Sequence, residues 1–196
     1  MQVLTLSMKN KPVSVKTFFL IGCLVAIGQQ THAQKKNVFG AIVGVNASGM
    51  SDYDGKTTVG LTGGLYWERK LSNAFSFQSN FLYTQRGERK DNATPRLILQ
   101  YINLPMMVKC YVTEDFQVMA GIYWDPLIGV IGNDYSLDDF KNSDFGIPIG
   151  VSHDLSNYFQ LGLSYNFGLT NISDTSTHNF TLRHNWSNVT LAILIR

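Results

Sequence analysis

The sequence predicts an all-β chain: an eight-stranded antiparallel up-and-down barrel that spans a membrane. Three observations predict it. Residues alternate apolar and polar over many short stretches, the connections between those stretches alternate short and long, and the N-terminus has the layout of an export signal. After residue 33 no stretch is apolar and long enough for a membrane helix, and no heptad repeat appears.

The export signal comes first in the chain. A basic region ends at Lys16, Thr17 to Gly28 is apolar apart from its first residue, and Thr31 and Ala33 supply the small residues that a signal peptidase requires. The expected division is a signal peptide over 1–33, cleaved after Ala33, and a barrel domain over 34–196. The region before Met8 is uncharged, so translation can start at Met1 or Met8. Leu20-Ile21-Gly22-Cys23 also fits a lipoprotein box, but it leaves a short apolar core before Cys23, while Leu24 to Ile27 continue the run. With Cys23 removed, Cys110 is the only cysteine, which leaves no internal disulfide. The chain of 196 residues has only 15% charged residues and a formal charge of +2. Three of its 16 Lys and Arg (Lys9, Lys11 and Lys16) lie in the signal, leaving 13 against 14 Asp and Glu, so the mature domain is near neutral. It has no basic cluster to grip a phosphate backbone, which argues against nucleic acid as a partner.

The strands follow in order. Segments 38–47 and 57–71 are candidates whose glycines Gly40, Gly44, Gly60 and Gly64 fall on the inward face. Phe75, Phe77, Phe81 and Tyr83 then oppose Ser76, Gln78, Asn80 and Thr84. After the candidate 97–112, Phe116, Val118, Ala120, Ile122 and Trp124 oppose Gln117, Met119, Gly121, Tyr123 and Asp125. Segment 144–153 precedes the clearest case, Tyr158 to Leu169, where Phe159, Leu161, Leu163, Tyr165, Phe167 and Leu169 alternate with Gln160, Gly162, Ser164, Asn166 and Gly168. Segment 185–195 closes the set. One face of each strand suits hydrocarbon and the other is small or polar.

The connections separate a barrel from a soluble sandwich. Those at 72–74, 113–115 and 154–157 are short; those at 48–56, 87–96, 126–143 and 169–184 are long. Outer-membrane barrels have tight periplasmic turns and longer external loops, whereas a sandwich has no reason to alternate so regularly. Trp67, Phe75, Phe77, Phe116, Tyr158 and Phe159 fall near the short turns and Tyr83, Trp124, Tyr165 and Phe167 toward the long loops, as two interfacial girdles would.

The run Tyr101-Ile102-Asn103-Leu104-Pro105-Met106-Met107-Val108-Lys109 resembles the "Y-L-E-I-P-L-L-x-K" strand of an outer-membrane β-barrel domain family abundant in Bacteroidetes, often labelled porin-like or PorT-like. Asp144-Phe145-Gly146-Ile147-Pro148-Ile149-Gly150 is similar to a later strand of that family, and Tyr165-Asn166-Phe167-Gly168-Leu169-Thr170-Asn171-Ile172 to its closing "Y-x-x-G-L-x-N-I". Asn103 stands where the family usually has an acid, and Arg196 where it usually ends in an aromatic. The resemblance implies a fold and an outer-membrane location, and it transfers no catalytic residue.

Parity along the strands places Glu68, Arg86, Lys109 and Asp125 inside. Glu68 and Lys109 lie about five residues from their short turns, and Arg86 and Asp125 about eleven, which predicts two luminal ion-pair layers. Either they plug the lumen or they act as a charge gate. Of the mature histidines, His153 is expected beside a short turn and His178 and His184 in the last long loop, so the three do not converge. A Ser-His-Asp set from Asp174, Ser176 and His178 has no spacing that specifies it. The acidic stretch Asp134 to Phe140 lacks the spacing of a calcium loop, and Gly60-Leu61-Thr62-Gly63-Gly64 matches no phosphate cradle. No catalytic, metal or cofactor-binding residue is expected.

The function expected is therefore that of a non-enzymatic outer-membrane barrel. It contacts membrane lipids and reaches a protein partner through loops 126–143 and 169–184. A narrow passive channel is the alternative, with the inward glycines, Gly121 and Gly162 included, leaving space for water. A lipid-modifying enzyme using His178 and His184 is a third.

Overall fold

A computed structural model describes residues 37–51, 56–89, 97–132, 137, 140–171 and 183–195. The strands are β1 (Asn37–Ser51), β2 (Lys56–Lys70), β3 (Phe75–Arg89), β4 (Leu97–Tyr111), β5 (Phe116–Ile131), β6 (Ser143–Asp154), β7 (Phe159–Gly168) and β8 (Arg183–Ile195). Each pairs antiparallel with its neighbours in sequence, and β1 also pairs with β8, with Gly44 opposite both Thr62 and Thr190. The expected barrel is present and closed, so no strand edge is left unpaired.

The alternation fixes which way each residue faces. Leu61, Leu65 and Ile122 point outward and are 62%, 64% and 58% exposed, while Arg86, Lys109 and Asp125 point inward and are fully buried. An apolar belt of this size has no place on a water-soluble monomer, and it is the surface that a bilayer covers. Aromatic pairs sit at both ends of the belt: Trp67 and Phe77 meet edge-on toward the short turns, and Trp124 stacks on Phe145 toward the long connections.

Three short turns are built alike. Leu71-Ser72-Asn73-Ala74-Phe75, Val112-Thr113-Glu114-Asp115-Phe116 and Leu155-Ser156-Asn157-Tyr158-Phe159 share an aliphatic residue, a hydroxyl residue and, three positions after the hydroxyl, a phenylalanine. In each, the amides of the first two residues donate to the phenylalanine carbonyl, and the phenylalanine amide donates back to the hydroxyl oxygen at 3.0, 3.0 and 3.2 Å respectively. The hydroxyl satisfies an amide that the reversal leaves without a strand partner. This repeat is visible in the sequence and was not expected from it.

At the other end the strand limits differ from expectation. The connection expected at 48–56 shrinks to 52–55, because β1 continues through Ser51 by pairing with β8, with Gly49 opposite Asn185 and Ser51 opposite Arg183. The Ser48 hydroxyl also donates to the Gly87 carbonyl at 3.0 Å and ties β1 to β3 inside the barrel. The loop expected over 126–143 is 132–142, since β5 runs past Pro126 to Ile131 and a register shift at Gln100/Tyr101 absorbs the irregularity. The loop expected over 169–184 ends earlier, because β8 begins at Arg183. Residues 1–33 with the expected cleavage site, and Asp174, Ser176 and His178, lie outside the described residues, as does most of the acidic stretch 134–140.

The inward glycines are sites of close strand approach. A Cβ on Gly121 would lie 2.0 Å from the Met106 carbonyl oxygen, and one on Gly64 2.1 Å from that of Phe81. The space is taken by the backbone of the adjacent strand, so these glycines permit tight coiling and leave no gap for water at the Cβ position. Gly121→Ala is expected to destabilise the barrel by about 1–3 kcal/mol. The check is the midpoint of urea unfolding in lipid vesicles, with Ala120→Gly as an outward-facing control.

Candidate functional site

Two ionic layers cross the lumen, each assembled from different strands. Nearer the short turns, the Lys109 ammonium on β4 donates to Glu68 Oε2 on β2 at 3.0 Å, to the Tyr66 hydroxyl at 2.9 Å and to Gln160 Oε1 on β7 at 2.9 Å. The Tyr66 and Tyr111 hydroxyls both donate to the Glu68 carboxylate, so each of its oxygens accepts. Both charged groups are buried. Beside them Val38, Ile42, Tyr66, Leu82, Ala192 and Leu194 form an apolar cluster. A buried pair repays its desolvation only when the remaining donors and acceptors are used, and here the ammonium makes three bonds.

Nearer the long connections, Arg86 on β3 donates to Asp125 on β5 and its Nη1 lies 3.7 Å from Asp144 Oδ2 on β6. All three side chains are fully buried. The guanidinium carbon lies 3.3 Å from the centre of the Trp186 ring and 4.8 Å from that of Tyr101. A planar, weakly hydrated cation suits such an aromatic cage better than an ammonium does. Asn103 donates to Asp125 Oδ1 at 2.6 Å. A carboxylate at 103 would instead set a like charge against Asp125. Above this layer Leu99 and Tyr101 of β4 pack with Phe140, which reaches in from the connection between β5 and β6. Leu97, Leu127 and Val130 complete this apolar cap.

The structure thus pairs Glu68 with Lys109 and Arg86 with Asp125. Asp144, Tyr101, Tyr123 and Trp186 belong to the upper layer and Tyr66, Tyr111 and Gln160 to the lower, yet none was singled out from the sequence. Parity was the available signal: Asp144 alternates with outward Phe145 and Ile147, and Trp186 with outward Ser187 and Val189.

His184 is a correction. Expected in the last long loop, it lies in β8 and is fully buried, because β8 starts two residues earlier than expected and the parity of Trp186 turns it inward. His153 is exposed at the short-turn end, with a ring nitrogen 3.1 Å from the Asp115 carbonyl oxygen. The two histidines sit at opposite ends of their strands. Among the described residues no group of three or more His, Cys, Asp or Glu is placed to hold a metal ion.

A closed barrel with an apolar exterior and an ionic interior has a counterpart among known sequences. The profile of the outer membrane protein β-barrel domain matches residues 19–187. The chain belongs to that family. It is accordingly a protein of the bacterial outer membrane. Among solved structures, it is similar to Ail, the attachment invasion locus protein of Yersinia pestis, at 12% identity and a TM-score of 0.51, over 82% of this chain and 99% of that one. Neisserial surface protein A is similar at 14% identity and a TM-score of 0.51, over 80% and 96%. At these identities the likeness is one of fold. No curated protein matches the chain.

Proposed function

We propose that this outer-membrane barrel is non-enzymatic, of the type abundant in Bacteroidetes, and works by presenting the connections 132–142 and 169–182 to a protein partner outside the cell. The observation that carries the reading is a lumen blocked at two levels. Arg86 caged on Trp186 and Lys109 bonded to three side chains occupy it at two levels, leaving the connections as the variable part of the scaffold. The short turns then face the periplasm, and the precursor is exported by a signal peptide cleaved after Ala33. Crosslinking in intact cells, followed by purification of the tagged protein, is expected to recover a specific partner that is lost when 133–139 and 172–182 are replaced by short glycine-serine linkers. Recovery undiminished by the replacement contradicts the reading.

A narrow passive channel is the second reading, favoured by one observation. The inward-facing Met119, Gly150, Ser164, Asn188 and Thr190, between the two layers, keep accessible surface. Planar-bilayer recording separates the two: silence supports the closed barrel, and discrete unitary steps support the channel.

A further inference from the structure

The outward face of β8 differs from the rest of the apolar belt. His184 and Trp186 point inward, so Arg183, Asn185 and Ser187 point outward, and Arg183 is exposed. None of the ion pairs among the described residues includes it. Toward the long connections the outward residues of β5 to β7 are aromatic instead: Trp124 stacks on Phe145, and Tyr165 meets Phe167 edge-on with ring centres 4.6 Å apart. On β1 the residues opposite Ser187 and Asn185 are Ala47 and Gly49, and a Cβ on Gly49 would meet nothing nearer than the Thr57 hydroxyl at 4.0 Å. Small and polar residues of β8 and β1 therefore form a trough beside Tyr165 and Phe167, which are opposite Ser187 and Asn185 on β7. At the foot of the trough a groove of about 420 Å³ lies between Ile149 and Val151 of β6, Leu163 and Tyr165 of β7, and Ser187. Its floor is the barrel wall at Gly150, which pairs with Met119 on one side and Ser164 on the other.

Three chemistries follow one another along this track. The groove is apolar and lies in the belt, so its occupant there is hydrocarbon. Four residues further along β8, about 13 Å away, stands a guanidinium. A cation on the lipid face costs little only at the interface, where it can meet an anionic headgroup, and the planar guanidinium matches a phosphate through two parallel hydrogen bonds. Between groove and cation, the Ser187 and Tyr165 hydroxyls and the Asn185 amide offer hydrogen bonds at a depth where an ordinary lipid chain has nothing to bond. One kind of molecule carries all three features in that order: a phosphorylated sugar headgroup, hydroxyl and amide groups just below it, and acyl chains. We propose that the outward face of β8, with β7 and β1, is a binding site for one molecule of lipid A, with an acyl chain in the groove and a phosphate on Arg183. The proposal rests on the reading that the long connections face outside the cell, since lipid A occupies the outer leaflet.

Native mass spectrometry of the full barrel, released from phosphatidylcholine nanodiscs that contain equal minor fractions of lipid A and phosphatidylglycerol, tests this. One lipid A per barrel is expected to be retained in preference to phosphatidylglycerol. Arg183→Ala, which removes the phosphate contact, and Ser187→Phe, which fills the groove from the lipid side, are each expected to reduce that retention about fivefold. Arg69→Ala removes an exposed cation at the short-turn end of β2 and is expected to leave it unchanged. Each variant is first verified as folded by its gel mobility before and after boiling. Retention of the two lipids alike, preference for phosphatidylglycerol, retention undiminished by Arg183→Ala or by Ser187→Phe, or an equal loss in Arg69→Ala overturns the proposal. A membrane-impermeant maleimide applied to intact cells, with Leu137→Cys placed in a Cys110→Ala barrel, separates this from the orientation on which it rests. Labelling at 137 with no selective retention of lipid A overturns the lipid site and leaves the orientation standing; labelling only after the outer membrane is opened overturns both.

Discussion

Arg86→Ala is expected to lower the stability of the barrel by about 3–5 kcal/mol, because it leaves Asp125 and Asp144 buried together without their cation. The loss exceeds that of a simple cavity. The guanidinium is in contact with Trp186, so its removal also unpacks the Tyr101, Tyr123 and Trp186 rings. Lys in its place is expected to recover only part of the loss, since an ammonium reaches one carboxylate as a point charge and does not stack. Urea titration in lipid vesicles, followed by tryptophan fluorescence, gives both numbers. An Arg86→Ala barrel within about 1 kcal/mol of the parent would show that the upper layer does not hold the strands together.

The lower layer supports a sharper comparison. Lys109→Met alone is expected to cost about 3–5 kcal/mol, since it strands a buried carboxylate on Glu68. Glu68→Met alone strands the ammonium and is expected to cost a similar amount. The double variant removes both charges at nearly constant volume beside an apolar cluster that already contains Ile42, Leu82 and Leu194. It is expected to be more stable than either single variant. Costs that simply add would mean that the two side chains act independently, contrary to their 3.0 Å contact.

The fold was legible because a barrel in lipid inverts the usual burial pattern. Phe159 to Phe167 alternate without interruption, and every outward member of that run is exposed in the structure. Parity also gave the inward direction of Glu68, Arg86, Lys109 and Asp125. Strand ends were harder to read. Ser48-Gly49-Met50-Ser51 has the composition of a turn, yet it is held in β1 by its register with β8, a partner more than a hundred residues away. Pro126 reads as a terminator, and β5 passes through it because Leu127 regains a bond, its amide donating to the Asn142 carbonyl at 2.9 Å. His184 was misplaced for the same reason as Ser51: the two ends of one extended pairing were both read as loop.

The composition of each layer was legible only in part. Parity gives a face and not a height, and the tilt of the strands decides which inward residues meet. Arg86, Asp125, Asp144 and Trp186 come from four strands and converge at one level, which no single-strand pattern reveals. Hydrogen-bond demand adds a signal that sequence lacks: the buried atoms of Tyr101, His184 and Asp144 that have no hydrogen-bond partner become visible only once the strands are assembled. The threefold repeat of the short turns was in plain view at Ser72, Thr113 and Ser156, but its meaning depends on the amide that each hydroxyl receives.

The central claim is that the chain folds as a closed barrel with its apolar face in lipid and its charges inside. Electrophoresis of the outer-membrane fraction, with and without boiling, tests it most directly. A closed barrel resists detergent until it is heated, so the account predicts a compact, fast-migrating band that shifts to slower mobility on boiling. A protein recovered in the soluble fraction, running as one band whether heated or not, would contradict it.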